Sequence, residues 1–453
     1  TAMKWIVPFV VMLTAGSVVA QQSDKQPTGG TFLSRPVINR ALSLQDAIAI
    51  ALKESPVLRG AEEEVDMAIA QVSMAKAAAR PTLSTTTFLT AGSLGSILST
   101  PSPVMPQSLF AVPGGNFNGL NVTWMYPLAT GGRLKALRRQ AQAAQQAAAA
   151  DLAAVRRDVV LEVKTAYRQV LLAQAMRRVA EQRQQATEER LRIDRVAFAE
   201  GRIPKLYVLR DEAEHADANQ MLTNAQRDVD IALVLLKTVM GISPDSQITL
   251  SDSLDDAPPV VHGTQQPVTL ETLLAIAERQ RPELVAARQR VEAARQNIAV
   301  TRSTYQPQLS LMAMADSMKA KGMERLTGAS LGIIIGLPIL DGGMRRAQVR
   351  EATAQTRKAQ ADYEKVALQV LREVQTAWLA LRAAEQNIKT AEAAIAAAEE
   401  DYRVVQMRYE SGRGVNVEVL DTLAALTRAR TNRAQALFDY HVARDRLLWA
   451  VGQ

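Results

Sequence analysis

Few residues of this chain could do chemistry. Its three histidines, His215, His262 and His441, stand apart from one another and there is no cysteine. A histidine cluster or thiolate metal centre, a catalytic thiol and a disulfide framework are therefore not expected. No Ser/His/Asp set, catalytic carboxylate pair or phosphate-cradling loop stands in a suitable context, so an enzyme is the weakest reading and no cofactor is expected. What remains is two glycine-centred reversals, Gly201-Arg202-Ile203 and Gly412-Arg413-Gly414, followed in the second case by Glu418 and Asp421. Glycine permits a sharp turn between two antiparallel helices. The two acids are three apart and so share a helical face. Either they complement the N-terminus of the helix after Asn416 as ordinary first-turn acids, or, multiplied by symmetry, they make a field for cations.

The elements that hold these turns are long. Neither Gly nor Pro occurs from Arg133 to Glu200 or from Met344 to Ser411. Each stretch would make a helical rod of about 100 Å at ~1.5 Å per residue. In the second rod apolar or aromatic residues recur from Tyr363, through Val370, Val374, Ala377, Leu381 and Ile388, to Tyr402, Val405 and Tyr409. A spacing of about 3.5 predicts supercoiling against a neighbour. A soluble coiled coil would satisfy this pattern equally well.

The chain also repeats itself. Residues 42–56 lie against 268–282, and Arg80-Pro81 against Gln306-Pro307, at a shift of 226. Tyr126-Pro127 through Gly131-Gly132 lies against Leu337-Pro338 through Gly342-Gly343, and Gly201-Arg202 against Gly412-Arg413, at a shift of 211. The 15-residue difference falls between Pro81 and Pro127, and length variation of that kind marks a loop. Each copy reads as helix, strand pair, very long helix, tip and helix. The divisions are 21–41, an N-terminal segment; 42–240, the first repeat, with strands at about 82–128; 241–267, a linker holding Pro258-Pro259 and a strand candidate at Gln247 to Leu250; and 268–453, the second repeat, with strands at about 308–340.

Between the helices the period changes to two. Leu120, Val122, Trp124 and Tyr126 alternate with Gly119, Asn121, Thr123 and Met125, and Leu331, Ile333, Ile335 and Leu337 alternate in the same phase. Leu309, Leu311, Ala313 and Ala315 repeat the pattern, and a weaker, Thr-rich strand runs from Thr82 to Ser93. Such runs fit strands with one face on lipid, rather than a soluble sheet edge, because the chain is predicted to be exported. The export signal is residues 1–20, where Lys4 precedes an apolar stretch that ends in small residues, with cleavage after Ala20. The stretch is short for a membrane anchor. Four strands cannot close a barrel, since an open edge in lipid leaves backbone groups unpaired, so protomers must combine. The net charge of +7 over 453 residues is small and interspersed, and no nucleic-acid partner is expected. The 15 methionines are too scattered along the sequence to argue for copper.

The tandem copies, the Leu-Pro-Ile-Leu-Asp-Gly-Gly-Met run at 337–344 and the tip Arg408-Tyr-Glu-Ser-Gly-Arg-Gly-Val-Asn-Val-Glu-Val-Leu-Asp421 resemble the TolC-type outer membrane efflux proteins over essentially the whole mature chain. The resemblance implies an α+β membrane protein. Its antiparallel coiled-coil hairpins would form a periplasmic tunnel, and four strands per protomer would enter a 12-stranded outer-membrane barrel made by a homotrimer. It implies conduction without covalent chemistry, with a periplasmic adaptor and an inner-membrane pump as partners and outer-membrane lipid around the barrel. It further implies that adaptor hairpins meet the tips at Gly201, Arg202, Ile203, Gly412, Arg413 and Gly414, and that Glu418 and Asp421 ring the constriction. Tyr409 matches the family's gate tyrosine, but its acidic partner's position holds Tyr207 and the gate arginine's position holds Gly414, one after Arg413. Contact between Tyr207 and Tyr409, or pairing by Arg202 or Arg413, are the open ways to latch the tip. The sequence ends at Gln453, just after its last helix, so the C-terminal extension that some members wrap around the tunnel's belt is expected to be missing. The competing reading is a periplasmic coiled-coil scaffold or adaptor without a pore. Adaptors normally carry a single hairpin, and two occur here.

Overall fold

The computed structural model describes residues 35–90, 117–255, 269–320 and 324–453. The export signal, residues 21–34, Ser93 and Pro258-Pro259 lie outside the described residues. The chain runs β1 (Arg40–Leu42), α1 (Leu44–Glu54), α2 (Pro56–Ala77), β2 (Thr82–Thr90), β3 (Phe117–Ala129), α3 (Arg133–Ala199), α4 (Lys205–Met240) and β4 (Ile248–Leu250). The second copy follows as α5 (Leu270–Gln280), α6 (Pro282–Arg302), β5 (Gln308–Ala320), β6 (Leu326–Gly336), α7 (Met344–Glu410) and α8 (Asn416–Val451).

Local chemistry sets the helix boundaries, and it does so twice. Ser43 caps α1 in a reciprocal pair with Asp46, and Thr269 caps α5 at the equivalent place. Pro56 and Pro282 open α2 and α6 at the first helical position, where the missing N–H costs nothing. The rods α3 and α7 are each 67 residues, and α4 and α8 are each 36. The offset is 211 at both starts, 344 minus 133 and 416 minus 205. Gly241 ends α4 at φ 74°, where an added Cβ would sit 2.9 Å from the Glu54 carbonyl oxygen. Only glycine suits both that conformation and that approach.

The period-3.5 stripe of α7 faces inward. Val370, Val374, Ala377, Ala384, Ala391 and Val405 are buried on it, and Tyr363, Leu381, Ile388, Tyr402 and Tyr409 are half-buried. The main core gathers Val163, Tyr167, Val170 and Leu171 of α3 with Leu236 and Met240 of α4, Ala47 and Ala51 of α1, and Leu437 of α8. There β1 and β4 pair in parallel, and the Tyr167 hydroxyl donates to the Leu42 carbonyl at 3.0 Å and to Asp252 at 2.9 Å. Residues 241–255 are thereby tied to the middle of the first rod.

Beside this core, Trp449 near the end of α8 joins four helices. The Arg281 guanidinium, 2% exposed, stacks over its ring at 4.4 Å, and Arg157 lies over it at 5.8 Å. The indole N–H donates to Asp158 at 2.7 Å, while Arg281 pairs with Glu283 at 3.2 Å and with Glu373. Buried charges persist where they are paired in this way.

The sheet is antiparallel in the order β2-β3-β5-β6, so β2 and β6 are open edges. Register fixes its two faces. Val122, Ala315 and Ala329 are mutual partners in one row, Trp124, Ala313 and Leu331 in the next, and Tyr126, Leu311 and Ile333 in a third. With Leu120 and Ile335 these make one apolar face. The other face carries Asn121, hydrogen-bonded to Asp316, with Thr123, Ser330 and the glycines 328 and 332. Leu337 lies one residue beyond the end of β6, so it stands outside the strand in which the alternation placed it. The register also collects methionines that are scattered in sequence: Met125 stands opposite Met312, and Met314 and Met318 lie on the same polar face. Every described residue of β6 is exposed in the single chain. Among the described residues no helix is long and apolar enough to cross a membrane.

Candidate functional site

The ends of α3, α4, α7 and α8 converge on a buried polar cluster. Asp194 and Asp211 are each 1% exposed and Asn416 is fully buried. The Tyr409 hydroxyl donates to Asp194, at 3.0 Å to Oδ2 and 3.2 Å to Oδ1. The Asn416 amide donates to Asp194 Oδ2 at 3.1 Å and to Asp211 Oδ1 at 2.9 Å. Arg190, one turn before Asp194, lays its guanidinium over the Tyr409 ring at 3.6 Å. In that pose its Nε is 3.6 Å from Asp194 and 3.8 Å from Asp211. The first hairpin thus supplies the charges, and the second supplies Tyr409 and Asn416 to bind them.

Burial dominates the electrostatics. It pushes the Asp211 carboxyl up to about 6; the neighbouring Asp194 adds to the rise, and the hydrogen bond from Asn416 and the charge of Arg190 oppose it. The Tyr409 phenol is pushed up to about 12, first by burial and against the pull of Arg190. Tyr409 is therefore a proton donor at any physiological pH.

This arrangement corrects the expected latch. The ring of Tyr409 meets Arg190, not Tyr207, and Tyr207 is half-buried four residues before Asp211. Arg202 is exposed and pairs with Glu200 beside it. Arg413 is exposed, and among the described residues its side chain has no hydrogen bond or ion pair. Gly414 is tightly placed, because an added Cβ would stand 3.0 Å from the Tyr409 backbone nitrogen and the turn would have to give by a few tenths of an ångström. The acid and the guanidinium that meet Tyr409 stand on α3, as Asp194 and Arg190. One sequence signal could have found the acid: subtracting the shift of 211 from the stripe residue Val405 gives Asp194, a charge where the pattern demands an apolar side chain.

The remaining tip residues lie around this cluster. Gly201 and Gly412 adopt φ of 73° and 74° with open space around them, and Ile203 is half-buried. Glu418 and Asp421 fall in the first two turns of α8, as their spacing predicts. Asp421 is exposed, whereas Glu418 is half-buried and its Oε2 is enclosed without a hydrogen-bond donor. Among the described residues no group of His, Cys, Asp and Glu is placed to hold a metal ion.

The chain is thus a duplicated pair of long antiparallel hairpins, tied at one end by buried polar bonds and carrying a four-stranded sheet with two open edges among the described residues. The chain belongs to the outer membrane efflux protein family, whose match spans residues 47–242 and 273–453. It is similar to the outer membrane efflux protein BepC of Brucella suis, 26% identical over 65% of this chain and 63% of the relative. It is also similar to the alkaline protease secretion protein AprF of Pseudomonas aeruginosa, 23% identical over 65% of this chain and 61% of the relative. The matched region is therefore a little under two thirds of the length of either relative. In fold it resembles the outer membrane protein VceC of Vibrio cholerae, with a TM-score of 0.73 at 21% identity over 90% of this chain and 96% of that one.

Proposed function

We propose that this chain is one third of a passive outer-membrane exit duct, opened at its periplasmic tip by an adaptor and an inner-membrane pump in efflux or type I secretion. The observation that carries this reading is the sheet. Its apolar face includes Leu331 at 73% and Ile335 at 67% exposure, and among the described residues each of its two edge strands is unpaired along its outer side. Unpaired edges cost several kcal/mol per group in lipid, so closure needs further copies. Three copies of four strands give twelve, enough for a membrane barrel. The four long helices of each copy would then continue the path as a tunnel whose narrow end is the tip cluster. A coiled-coil scaffold offers no reason for a sheet of this polarity.

Membrane fractionation with gel migration before and after heating tests the assembly. The expected result is an outer-membrane trimer that dissociates to a monomer on boiling, and that conducts ions in a planar bilayer. A chain that stays in the soluble periplasmic fraction and gives no conductance would overturn the proposal. Loss of export when the tips are altered, with assembly intact, tests the adaptor.

A further inference from the structure

The tip cluster holds two carboxylates and a single guanidinium in a place closed to water. Asp194 accepts from Tyr409 and from Asn416, but Asp211 accepts only at Oδ1 and its Oδ2 has no donor. Arg190 cannot satisfy both acids. Its stacking on Tyr409 keeps Nε at 3.6 and 3.8 Å, beyond hydrogen-bond reach, and its Nε and Nη2 are themselves without acceptors. The other charged or titratable groups packed around the site are committed or of the wrong sign. On α4, Glu214 pairs with Arg183 and Glu212 with Arg195, and the His215 ring is hydrogen-bonded to Thr187 and Asn219. From α7 come the phenols Tyr402 and Tyr409, both raised chiefly by burial. On α8, Glu418 is a further acid. No second cation reaches the pair among the described residues. An unmatched buried charge is far more costly than a bound proton.

We propose that Asp194 and Asp211 share one proton, seated on Asp211 Oδ2, and that losing it loosens the joint between the two hairpins at the tip. The direction follows from the raised carboxyl. Asp211 titrates at about 6 in the folded tip against an ordinary 3.8, so its contribution is fully present below 3.8 and is lost as the pH rises through about 6. Above that range two negative charges face each other across α3 and α4, and the Asn416 amide that bridges them is pulled between both. The periplasmic end of such a protein would close more firmly in acid and yield more easily at neutral pH. This device deepens the reading of the cluster as a latch and depends on it only for the effect on conduction.

The absence of cysteine gives a clean test. Cysteines placed at the exposed Arg202 and Arg413, Arg202→Cys with Arg413→Cys, carry spin labels on the two turns of the trimer in lipid nanodiscs. The distance between hairpins should widen, with a midpoint near pH 6, in the otherwise native chain. Asp211→Asn copies the protonated acid and should hold the short distance at every pH. Infrared difference spectra between pH 5 and pH 8 should show the loss of a protonated carboxyl that Asp211→Asn removes. A native distance that does not change between pH 5 and pH 8, or a carboxyl band unaffected by Asp211→Asn, overturns the proposal. If the variant fails to fold, the native titration alone still decides. Bilayer recordings separate the two ideas: a distance that widens while conductance stays flat upholds the shared proton and removes the latch from gating.

Discussion

Tyr409 and Asp194 are 215 residues apart in sequence, yet the hydroxyl of one lies 3.0 Å from the carboxylate of the other. The bond joins the ends of the two long rods. In the second copy the place of Asp194 is taken by Val405, so the two halves of the duplication differ where they meet. A hydrogen bond to a buried charge contributes about 1.5–3 kcal/mol. Tyr409→Phe removes this bond and keeps the ring under Arg190. Single-channel recordings in planar bilayers are expected to show a larger conductance for Tyr409→Phe than for the native trimer. A conductance that does not change would place the constriction elsewhere.

The sheet gives a sharper contrast, because residues on its two faces have opposite surroundings. Ile333 stands in the apolar row with Leu311, whereas Thr123 lies on the polar face and bonds to Asn121 at 2.8 Å. Arginine at a lipid-facing strand centre costs about 2–4 kcal/mol. Ile333→Arg and Ile335→Arg should therefore lower the amount of trimer in outer-membrane fractions, and Thr123→Arg should not. Equal yields from both kinds of variant would contradict the lipid assignment.

Much of this architecture was legible because its signals are periodic. The glycine- and proline-free rods, the 3.5 stripe and the two shifts of 226 and 211 appear directly as helices of matched length. The tip's bonding was not legible in the same way. Asp194 and Arg190 sit in the last turns of the rod among charged residues of a solvated helix, and only their depth, which depends on how α4 and α8 pack, separates them from surface pairs such as Arg192 with Glu189. Likewise the parallel pairing of Arg40–Leu42 with Ile248–Leu250 joins segments too short to carry a period.

The turn at Gly412 allows folding and docking to be separated. Its φ of 74° favours glycine but is open to asparagine, and nothing lies within 4 Å of an added Cβ. Gly412→Asn should preserve trimers and export. Gly412→Trp strains the turn by about 1–3 kcal/mol but meets no neighbouring atom, so it should leave trimers in the membrane while abolishing export by obstructing the adaptor. The same pair at Gly201 should behave alike. Export assays beside trimer counts decide, and full export by the tryptophan variants would remove the tips from the docking surface.

At the far end of the hairpins, Arg281 is held by Glu283, Glu373 and the Trp449 ring. Removing one partner of a buried ion pair costs about 3–5 kcal/mol. Arg281→Ala should therefore reduce the thermal stability of the trimer far more than Arg290→Ala, whose pair with Asp151 is 57% exposed on the arginine side. Circular dichroism melts of both variants in detergent measure the difference, and similar losses would show that the Trp449 junction is not a stabilising node.

The acids of the first turns of α8 remain the most direct probe of a pore. An ordinary first-turn acid stays solvated, yet Glu418 is half-buried with Oε2 enclosed and unpartnered in the single chain. Asp421, three residues on, is exposed on the same side of the helix. Threefold assembly would bring six such carboxylates around one axis, where they would draw cations and bind multivalent ones tightly enough to block current. Glu418→Gln with Asp421→Asn keeps side-chain size and removes that field. In planar bilayers the double variant should lose its preference for cations and its sensitivity to multivalent block from the tip side. The tip cluster should be untouched, because neither residue bonds to Tyr409, Asn416 or Asp211. Retained selectivity and retained block in a correctly assembled trimer would reduce both residues to complements of the helix N-terminus and would move the constriction away from the start of α8.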